Sequence, residues 1–319
     1  MPLLPGEFEL IERYFAPLAR GFPGAYGLRD DAAVIAPAPG HELVAKTDAI
    51  IAGVHFLPDD PPELVARKAL RVNLSDLAAK GAIPRAYMVD LMLPRTLDEA
   101  WVAAFARGLA EDQDEYAVHL IGGDTDSTPG PVTIAVMAFG EVPAGRMIRR
   151  AGARAGDTIY VSGTIGDAAL GLEALRGALP GLDARVAGFL AGRYRLPQPR
   201  VALGARLAGL ASAAIDVSDG LVADLGHLCE ASRLAAVVES SRVPLSPAAQ
   251  AVLAARPDLI GTVLTGGDDY EILFTAPAQA PGVPGTPIGR MEAAPAGVTV
   301  LDRQGQRLAL ARAGWSHFP

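Results

Sequence analysis

The sequence predicts a two-domain α/β fold (α+β in the broad sense), and three observations carry that expectation. At 319 residues the chain exceeds the size at which single cores stop growing, about 250–300 residues. Strand-like runs alternate with helical apolar periodicities along most of its length. A Gly- and Arg-rich stretch, 143–157, reads as a linker. The expected domains are 1–144, a mixed or antiparallel sheet with helices, and 145–319, an α/β domain.

Phe8, Ile11, Phe15 and Leu18 recur at helical spacing and predict a short opening helix. Two strands are expected next, 32–36 and 42–47, joined by Pro37-Ala38-Pro39-Gly40. An antiparallel hairpin about that turn sets Asp31 opposite Thr47 and Asp48, with Cα atoms about 5 Å apart. Residues 61–80 read as a helix opened by prolines and closed by Gly81. Val65, Ala69, Val72, Asp76 and Ala79 share one face of it, so Asp76 interrupts an apolar stripe. It also lies near the helix C-terminus, where the macrodipole disfavours an anion. A cation beside Asp76 removes both costs; a register one residue off turns it to solvent instead.

Strands are expected at 86–93, 117–121 and 132–142, with a helix at 97–111. The strand at 117–121 is expected to end in the turn Gly122-Gly123-Asp124-Thr125. In the second half, strands at 158–162, 213–217, 235–238 and 271–275 alternate with helices at 167–177, 199–210, 221–232 and 246–255. The Pro/Gly/Ala-rich stretch 277–287 reads as a surface loop.

Half of the residues are apolar, a fifth are charged and the net charge is −8, which argues against a general nucleic-acid binder. It leaves anionic substrates open, because bound metal ions invert the local field. The single cysteine, Cys229, sits among Leu225 and Leu228 on an expected helix and reads as a buried apolar residue; no intrachain disulfide is possible. Glu7 and Glu9 and the lack of a basic-then-apolar run argue against a signal peptide, and no uncharged stretch reaches membrane-spanning length. A cytoplasmic protein is expected. Lysine occurs only at 46, 68 and 80.

The informative feature is a series of acidic clusters at element ends: Asp30-Asp31, Thr47-Asp48, Asp76, Asp124, Asp216 with Asp219, and Asp268-Asp269. Gathered carboxylates require neutralisation, and hard divalent cations such as Mg²⁺ are the usual counter-charge. Each cluster has a plainer reading. Asp commonly flanks turns, Gly-Gly-Asp is an ordinary turn sequence, and Ser218 or Asp219 is a natural helix N-cap. Capping leaves Asp216 unexplained, and a helix N-terminus that is capped also favours phosphate. Gly163-Thr164-Ile165-Gly166-Asp167 lacks the Lys-Ser/Thr of a P-loop and reads as a helix-opening turn. His41, His119, His227 and His317 show no mutual metal-ligand spacing, whereas His55 closely follows the strand of Asp48. Metal-assisted phosphate chemistry is the reading that covers most of these features.

In chain order, GEFELIERYF, RDDAAV, KTDAIIAGVHF, RKALRVNLSDLAAKGA, LIGGDTD, RRAGARAGD, AIDVSDGLVADLGHL, LTGGDDYEILF and GWSHF together resemble the thiamine-monophosphate kinase family. That family belongs to the superfamily of aminoimidazole ribonucleotide synthetase. The resemblance spans nearly the whole chain and implies that superfamily's two-domain fold. It implies transfer of the ATP γ-phosphoryl to thiamine monophosphate, the last step of thiamine diphosphate biosynthesis. It also implies several Mg²⁺ ions and a homodimer whose N-terminal sheets pair, with no nucleic-acid or membrane partner.

By position, the resemblance puts metal ligands at Asp31, Thr47, Asp48, Asp76, Asp124, Asp216 and Asp219. ATP contacts fall on Gly123, Asp124, Arg150 and Ser218, and substrate contacts on His55, Asp268 and Trp315. No acid–base residue is expected, because the attacking phosphate oxygen is already ionised near neutral pH. Three positions depart from the family pattern: Arg29 replaces a Gly, Lys46 a hydroxyl residue, and Asp268 a Glu. An ammonium cannot ligate Mg²⁺, so Lys46 puts one peripheral metal in question. Two rivals in the superfamily, selenophosphate synthetase and the hydrogenase-maturation dehydratase, use a reactive N-terminal or C-terminal Cys that this chain lacks. A rival of another class is a catalytically silent Mg-nucleotide- or Ca²⁺-binding protein.

Overall fold

The computed structural model describes residues 5–316; residues 1–4 and 317–319, which include His317, lie outside it. The chain divides into two compact units, residues 1–77 with 82–145, and residues 78–81 with 146–319.

The first unit opens with a helical segment, α1 (Glu7–Leu10), continued by a π turn and 3₁₀ turns to Leu28. Its sheet has the order β1 (His41–Ile51), β4 (Thr133–Pro143), β2 (Ile83–Pro94), β3 (His119–Thr128). Pairing is antiparallel for β1 with β4 and β4 with β2, and parallel for β2 with β3. In β2, Tyr87, Val89, Leu91 and Leu93 are buried while Met88, Asp90 and Met92 are only half-buried, the period-2 alternation of a sheet with unlike faces. Helices α2 (Pro62–Ala79) and α3 (Glu99–Tyr116) cover the first face: the Tyr87 hydroxyl donates to Gln113 of α3. The buried Asp112 of α3 accepts from Arg67 and Arg71 of α2, a satisfied ion network between the helices. Across the other face lies the segment after Leu28, with Ala33 and Ile35 packed among Ala25, Ala86 and Ile121.

The expected hairpin of 32–36 with 42–47 does not form. Residues 32–36 are extended but unpaired as a strand, the Val34 N–H going to Gly24 O at 2.9 Å. Strand β1 pairs instead with β4, about ninety positions on in sequence. An alternating apolar run suits an extended segment lying on a sheet face as well as a strand within one. Asp31 is therefore not opposite Thr47 and Asp48, and Asp48 lies inside β1, opposite Val136.

The second unit holds a six-stranded sheet: β10 (Gly297–Leu301), β7 (Ala235–Glu239), β9 (Thr286–Glu292), β5 (Thr158–Val161), β8 (Ile272–Ala276), β6 (Ala213–Asp216). Only β10 with β7 is parallel. Helices α4 (Asp167–Leu175), α5 (Ala184–Arg195), α6 (Val201–Leu207), α7 (Leu221–Ser232), α8 (Pro247–Ala255) and α9 (Ile260–Thr265) belong to this unit. Its core joins Ile159, Leu170, Leu190, Ile215, Leu225, Leu228 and Leu273. Cys229 is buried in that core, and the apolar surroundings push its thiol pKa up to about 11. Two strands, β9 and β10, and two helices, α5 and α9, carry no expectation above: Pro287 and Gly289 break the pattern of β9, and Arg and Gly break that of α5.

Candidate active site

In the first unit, strand pairing displays the acidic residues. The run Gly122-Gly123-Asp124-Thr125 does not end a strand as expected; β3 continues through it to Thr128, in register with β2. Gly123 has φ +147°, and a Cβ there would lie 1.9 Å from Val89 O, so only glycine allows the two strands this close. Asp124 then stands beside Asp90, and its Oδ1 accepts the Thr125 N–H at 2.8 Å, which orients the carboxylate. Asp30, Asp31, Asp90 and Asp124 line one cleft of about 290 Å³ with Ile11, Phe15 and Gly123. Asp90 escaped the sequence reading, although a carboxylate within the apolar run 86–93 was its signal.

Asp48 and Asp76 form a second group. The Lys46 Nζ donates to Asp76 Oδ2 at 2.9 Å and to Asp48 Oδ2 at 3.2 Å. Burial pulls the Lys46 pKa down, but the two carboxylates outweigh it and the net direction is up, so the group is cationic. The counter-charge that Asp76 requires is thus an ammonium. Thr47 points to the opposite face of β1 from Lys46 and Asp48 by strand alternation, and is exposed. Strands β1 and β3 are the two edges of the sheet, three strand spacings apart, so Asp48 and Asp124 are separated by about 14 Å. One ion cannot bridge them within a chain. His55 follows β1; its Nδ1 accepts the Ile51 N–H at 3.0 Å, which leaves Nε2 as the donor of the neutral ring.

In the second unit, two loops hold the remaining residues. The Asp268 N–H donates to Ser218 O and the Tyr270 N–H to Val217 O, both at 2.8 Å. Gly267, at φ +79°, would place a Cβ 2.3 Å from Ser218 O, so glycine permits the contact. Asp268 itself adopts φ +63°, a left-handed conformation that Asp tolerates better than most residues. The Trp315 N–H donates to Asp219 O at 2.9 Å. Asp216, Ser218, Asp219, Asp268 and Trp315 are therefore brought together, with Asp216 buried and Trp315 half-exposed. The Arg150 carbonyl accepts from the Ser232 hydroxyl at the C-terminal end of α7, and the neighbouring Arg149 carbonyl accepts the Ala214 N–H of β6, the strand that ends in Asp216.

The expected N-cap role of Ser218 or Asp219 is not observed. Gly220 is the N-cap of α7 and no side chain caps it. Asp224, in the first turn, reaches back instead: its Oδ2 accepts from the N–H groups of Ser218, Asp219 and Gly220 at 3.0, 3.0 and 3.1 Å. Burial, then the charges of Asp216 and Asp219, push its pKa well above the usual carboxylate range, against the pull of these N–H groups. The turn at 163–167 does open helix α4, with Gly166 as N-cap. Buried Asp269 accepts from Gly166 N at 2.8 Å and Ala168 N at 3.4 Å.

Mg²⁺ takes near-octahedral oxygen ligands at about 2.0–2.1 Å, usually one or two carboxylates plus waters and phosphates. The exposed carboxylates of the first cleft and the Asp216–Asp219 loop suit that by donor type. The gap between Asp48 and Asp76 does not, because Lys46 fills it. Among the described residues no group of three His, Cys, Asp or Glu side chains is placed to hold a metal ion unaided. Waters and substrate phosphates would have to complete any coordination sphere there.

Residues 29–142 match the N-terminal domain of AIR synthase related proteins and residues 154–297 the C-terminal domain. The thiamine-monophosphate kinase of Caulobacter vibrioides is 44% identical, over 98% of this chain and 91% of its own length. That of Escherichia coli is 41% identical over 98% of both. The crystal structure of the Stenotrophomonas maltophilia enzyme superposes with a TM-score of 0.79 at 40% identity, covering 88% of this chain and 91% of that one. A ThiL protein complexed with AMPPCP and TMP superposes at 0.80 with 32% identity, over 98% and 97%. The hydrogenase maturation protein HypE shares the fold at 20% identity, with a TM-score of 0.77 over 99% and 96%. With relatives of this similarity matched over nearly its full length, the chain belongs to the thiamine-monophosphate kinase family.

Proposed function

We propose that this chain transfers the γ-phosphoryl group of ATP to the phosphate of thiamine monophosphate, giving thiamine diphosphate and ADP, with Mg²⁺ as cofactor. The observation that carries this reading is the junction of the 216–220 and 266–270 loops with Trp315, seen in a chain whose relative was solved with AMPPCP and TMP. There Ser218 is an ATP contact and Asp268 a substrate contact. The half-exposed Trp315 offers its ring face to the cationic thiamine, a contact worth about 0.5–2 kcal/mol. His55 contributes a substrate contact through Nε2–H, donating to a phosphate oxygen.

Phosphoryl transfer asks for alignment and charge neutralisation rather than covalent catalysis. When bound, Mg²⁺ neutralises the phosphate oxygens of both substrates so that two anions can approach. Asp31 and Asp124 in the first unit and, separately, Asp216 and Asp219 in the second would offer oxygens to such ions, as would Asp48 on one face of β1 and Thr47 on the other. Gly123 leaves the backbone of β3 open to a nucleotide phosphate, and Arg150 supplies a charge-assisted contact from its own part of the second unit. The acceptor oxygen is ionised near neutral pH, so no protein base removes a proton.

We assign metal and nucleotide binding and dimerisation to the first unit, and completion of the substrate and nucleotide site to the second. The homodimer reading rests on the sheet edges. Strand β1 is eleven residues long, exposed along much of its length, and paired on one side alone. A two-fold pairing of the N-terminal sheets through this edge would cover it. No helix of the described residues is long and apolar enough to cross a membrane, and we read the protein as cytoplasmic. Incubation with ATP, Mg²⁺ and thiamine monophosphate tests the function: thiamine diphosphate and ADP should appear in equal amounts. ADP without thiamine diphosphate, or no turnover, rejects it.

A further inference from the structure

All three lysines are turned inward. Lys68 Nζ donates to His55 O and Lys80 Nζ to Ala214 O, each at 2.8 Å, while Lys46 Nζ lies between Asp76 and Asp48. The remaining basic side chains of the chain are arginines. Lys46 is thus, of the three lysines, the one set between two carboxylates. Lys46 and Asp48 are two apart on β1 and share a face, whereas Asp76 comes from the last turn and a half of α2. The Asp76 side chain is 15% exposed, beside an apolar stripe whose members Val65, Ala69 and Val72 are almost fully buried. A carboxylate in that position needs a cation at all times, with or without substrate.

An ammonium 2.9 and 3.2 Å from the two Oδ2 atoms occupies the space that a divalent ion bridging them would need. It has three donors and no lone pair, so it cannot join a coordination sphere. Lys46 and a metal ion exclude each other at this gap. We propose that the Lys46 ammonium takes the place of one divalent cation between Asp48 and Asp76, so that this chain assembles its site with one metal ion fewer. The proposal rests on the magnesium reading above. The ammonium is present before any substrate arrives, and the neutralisation of Asp76 does not depend on the metal concentration.

Two measurements test it. Bound Mn²⁺ is counted by equilibrium dialysis at saturating non-hydrolysable ATP analogue, for wild type, Lys46→Thr and Lys46→Arg. We expect Lys46→Thr to bind one more Mn²⁺ per chain than wild type, and Lys46→Arg to match wild type. Equal non-zero counts in wild type and Lys46→Thr overturn the proposal. A wild type that binds no Mn²⁺ with nucleotide overturns the magnesium reading itself, a separable result. Should Lys46→Thr fail to fold, wild type alone decides. With three lysines, side-chain isotope labelling resolves the Lys46 ammonium by NMR, and its signal should hold its position as Mg²⁺ and nucleotide are added. Movement of that signal to a solvent-exposed lysine position overturns the proposal.

Discussion

The candidate carboxylates of the two units are held in opposite ways. In the first unit Asp31, Asp48 and Asp124 are exposed, and strand pairing and short local hydrogen bonds fix where they stand. In the second, Asp216 is buried, and the loop that carries Ser218 and Asp219 is tied from beneath by the buried Asp224. A sheet displays a side chain at no cost to its own hydrogen bonds, because the backbone is satisfied by its neighbours. A loop has no ladder, so a side chain must satisfy its N–H groups. Function and stability should therefore separate in the first unit and coincide in the second.

Asp124→Asn is the strongest test of the first half of that statement. It preserves shape and the Thr125 N–H acceptor while removing charge from the first cleft. Turnover should fall by about a hundredfold or more, the scale on which charge stabilisation of a transition state operates, and Asp48→Asn should behave alike. Unfolding free energy should stay within about 0.5 kcal/mol of wild type, as for other exposed substitutions. Near-normal kinase rates reject the metal assignment, and a large loss of stability breaks the comparison.

Asp224→Ala addresses the second half. Three successive N–H groups lose their acceptor at a site from which solvent is largely excluded, at about 1–3 kcal/mol per group left unsatisfied. Allowing for a bound water, about 3 kcal/mol should be lost, read as a lower urea midpoint for the second unit. The Michaelis constant for ATP should rise with it, through displacement of Ser218, and Asp224→Asn, which keeps one acceptor, should recover part of both. Unchanged stability in Asp224→Ala shows that the loop stands without its tie.

How far the sequence carries depends on whether the determinants are local. Helix α7 runs over the residues expected, 221–232, because its apolar spacing and the preceding glycine are local signals. The half-buried position of Asp76 and its need for a cation also follow from one helix face. That the cation is Lys46 does not, since the pair joins a strand and a helix thirty residues apart. The hairpin failed for the same reason: the partner of β1 is chosen by long-range packing, and the 32–36 pattern is equally well satisfied by lying across the sheet. The acidic members of the candidate site could be named from the sequence, because Gly-Gly-Asp and Asp-x-Ser-Asp-Gly are local strings, whereas Arg150 and Trp315 came only from the family resemblance. The grouping of the site into an exposed cleft, a lysine-bridged pair and a tied double loop was not legible. Asp90 and Asp224 mark the boundary, since each is recognisable only from what faces it.

The smallest expected effect separates a neutral buried acid from a charged exposed one. Burial pushes the Asp269 pKa well above its ordinary 3.8; the charge of Asp167 and, less strongly, Glu271 adds to this, while the Gly166 N–H and Arg193 oppose it. A carboxyl whose pKa is raised by folding stabilises the fold fully below its unfolded value, and that contribution is lost as pH rises through the folded value. The second unit should therefore lose stability as pH climbs from about 4 toward neutrality. Asp224 shifts in the same direction, so Asp269→Asn should flatten the dependence without abolishing it. The side-chain amide keeps a carbonyl oxygen for the Gly166 N–H, so its stability near pH 4 should stay close to wild type. Urea midpoints across that range supply the measurement. Parallel pH profiles for the two proteins place a charged Asp269 in the folded core, and with it a second unit whose buried acids are held by their N–H donors and Arg193 rather than by giving up their charge.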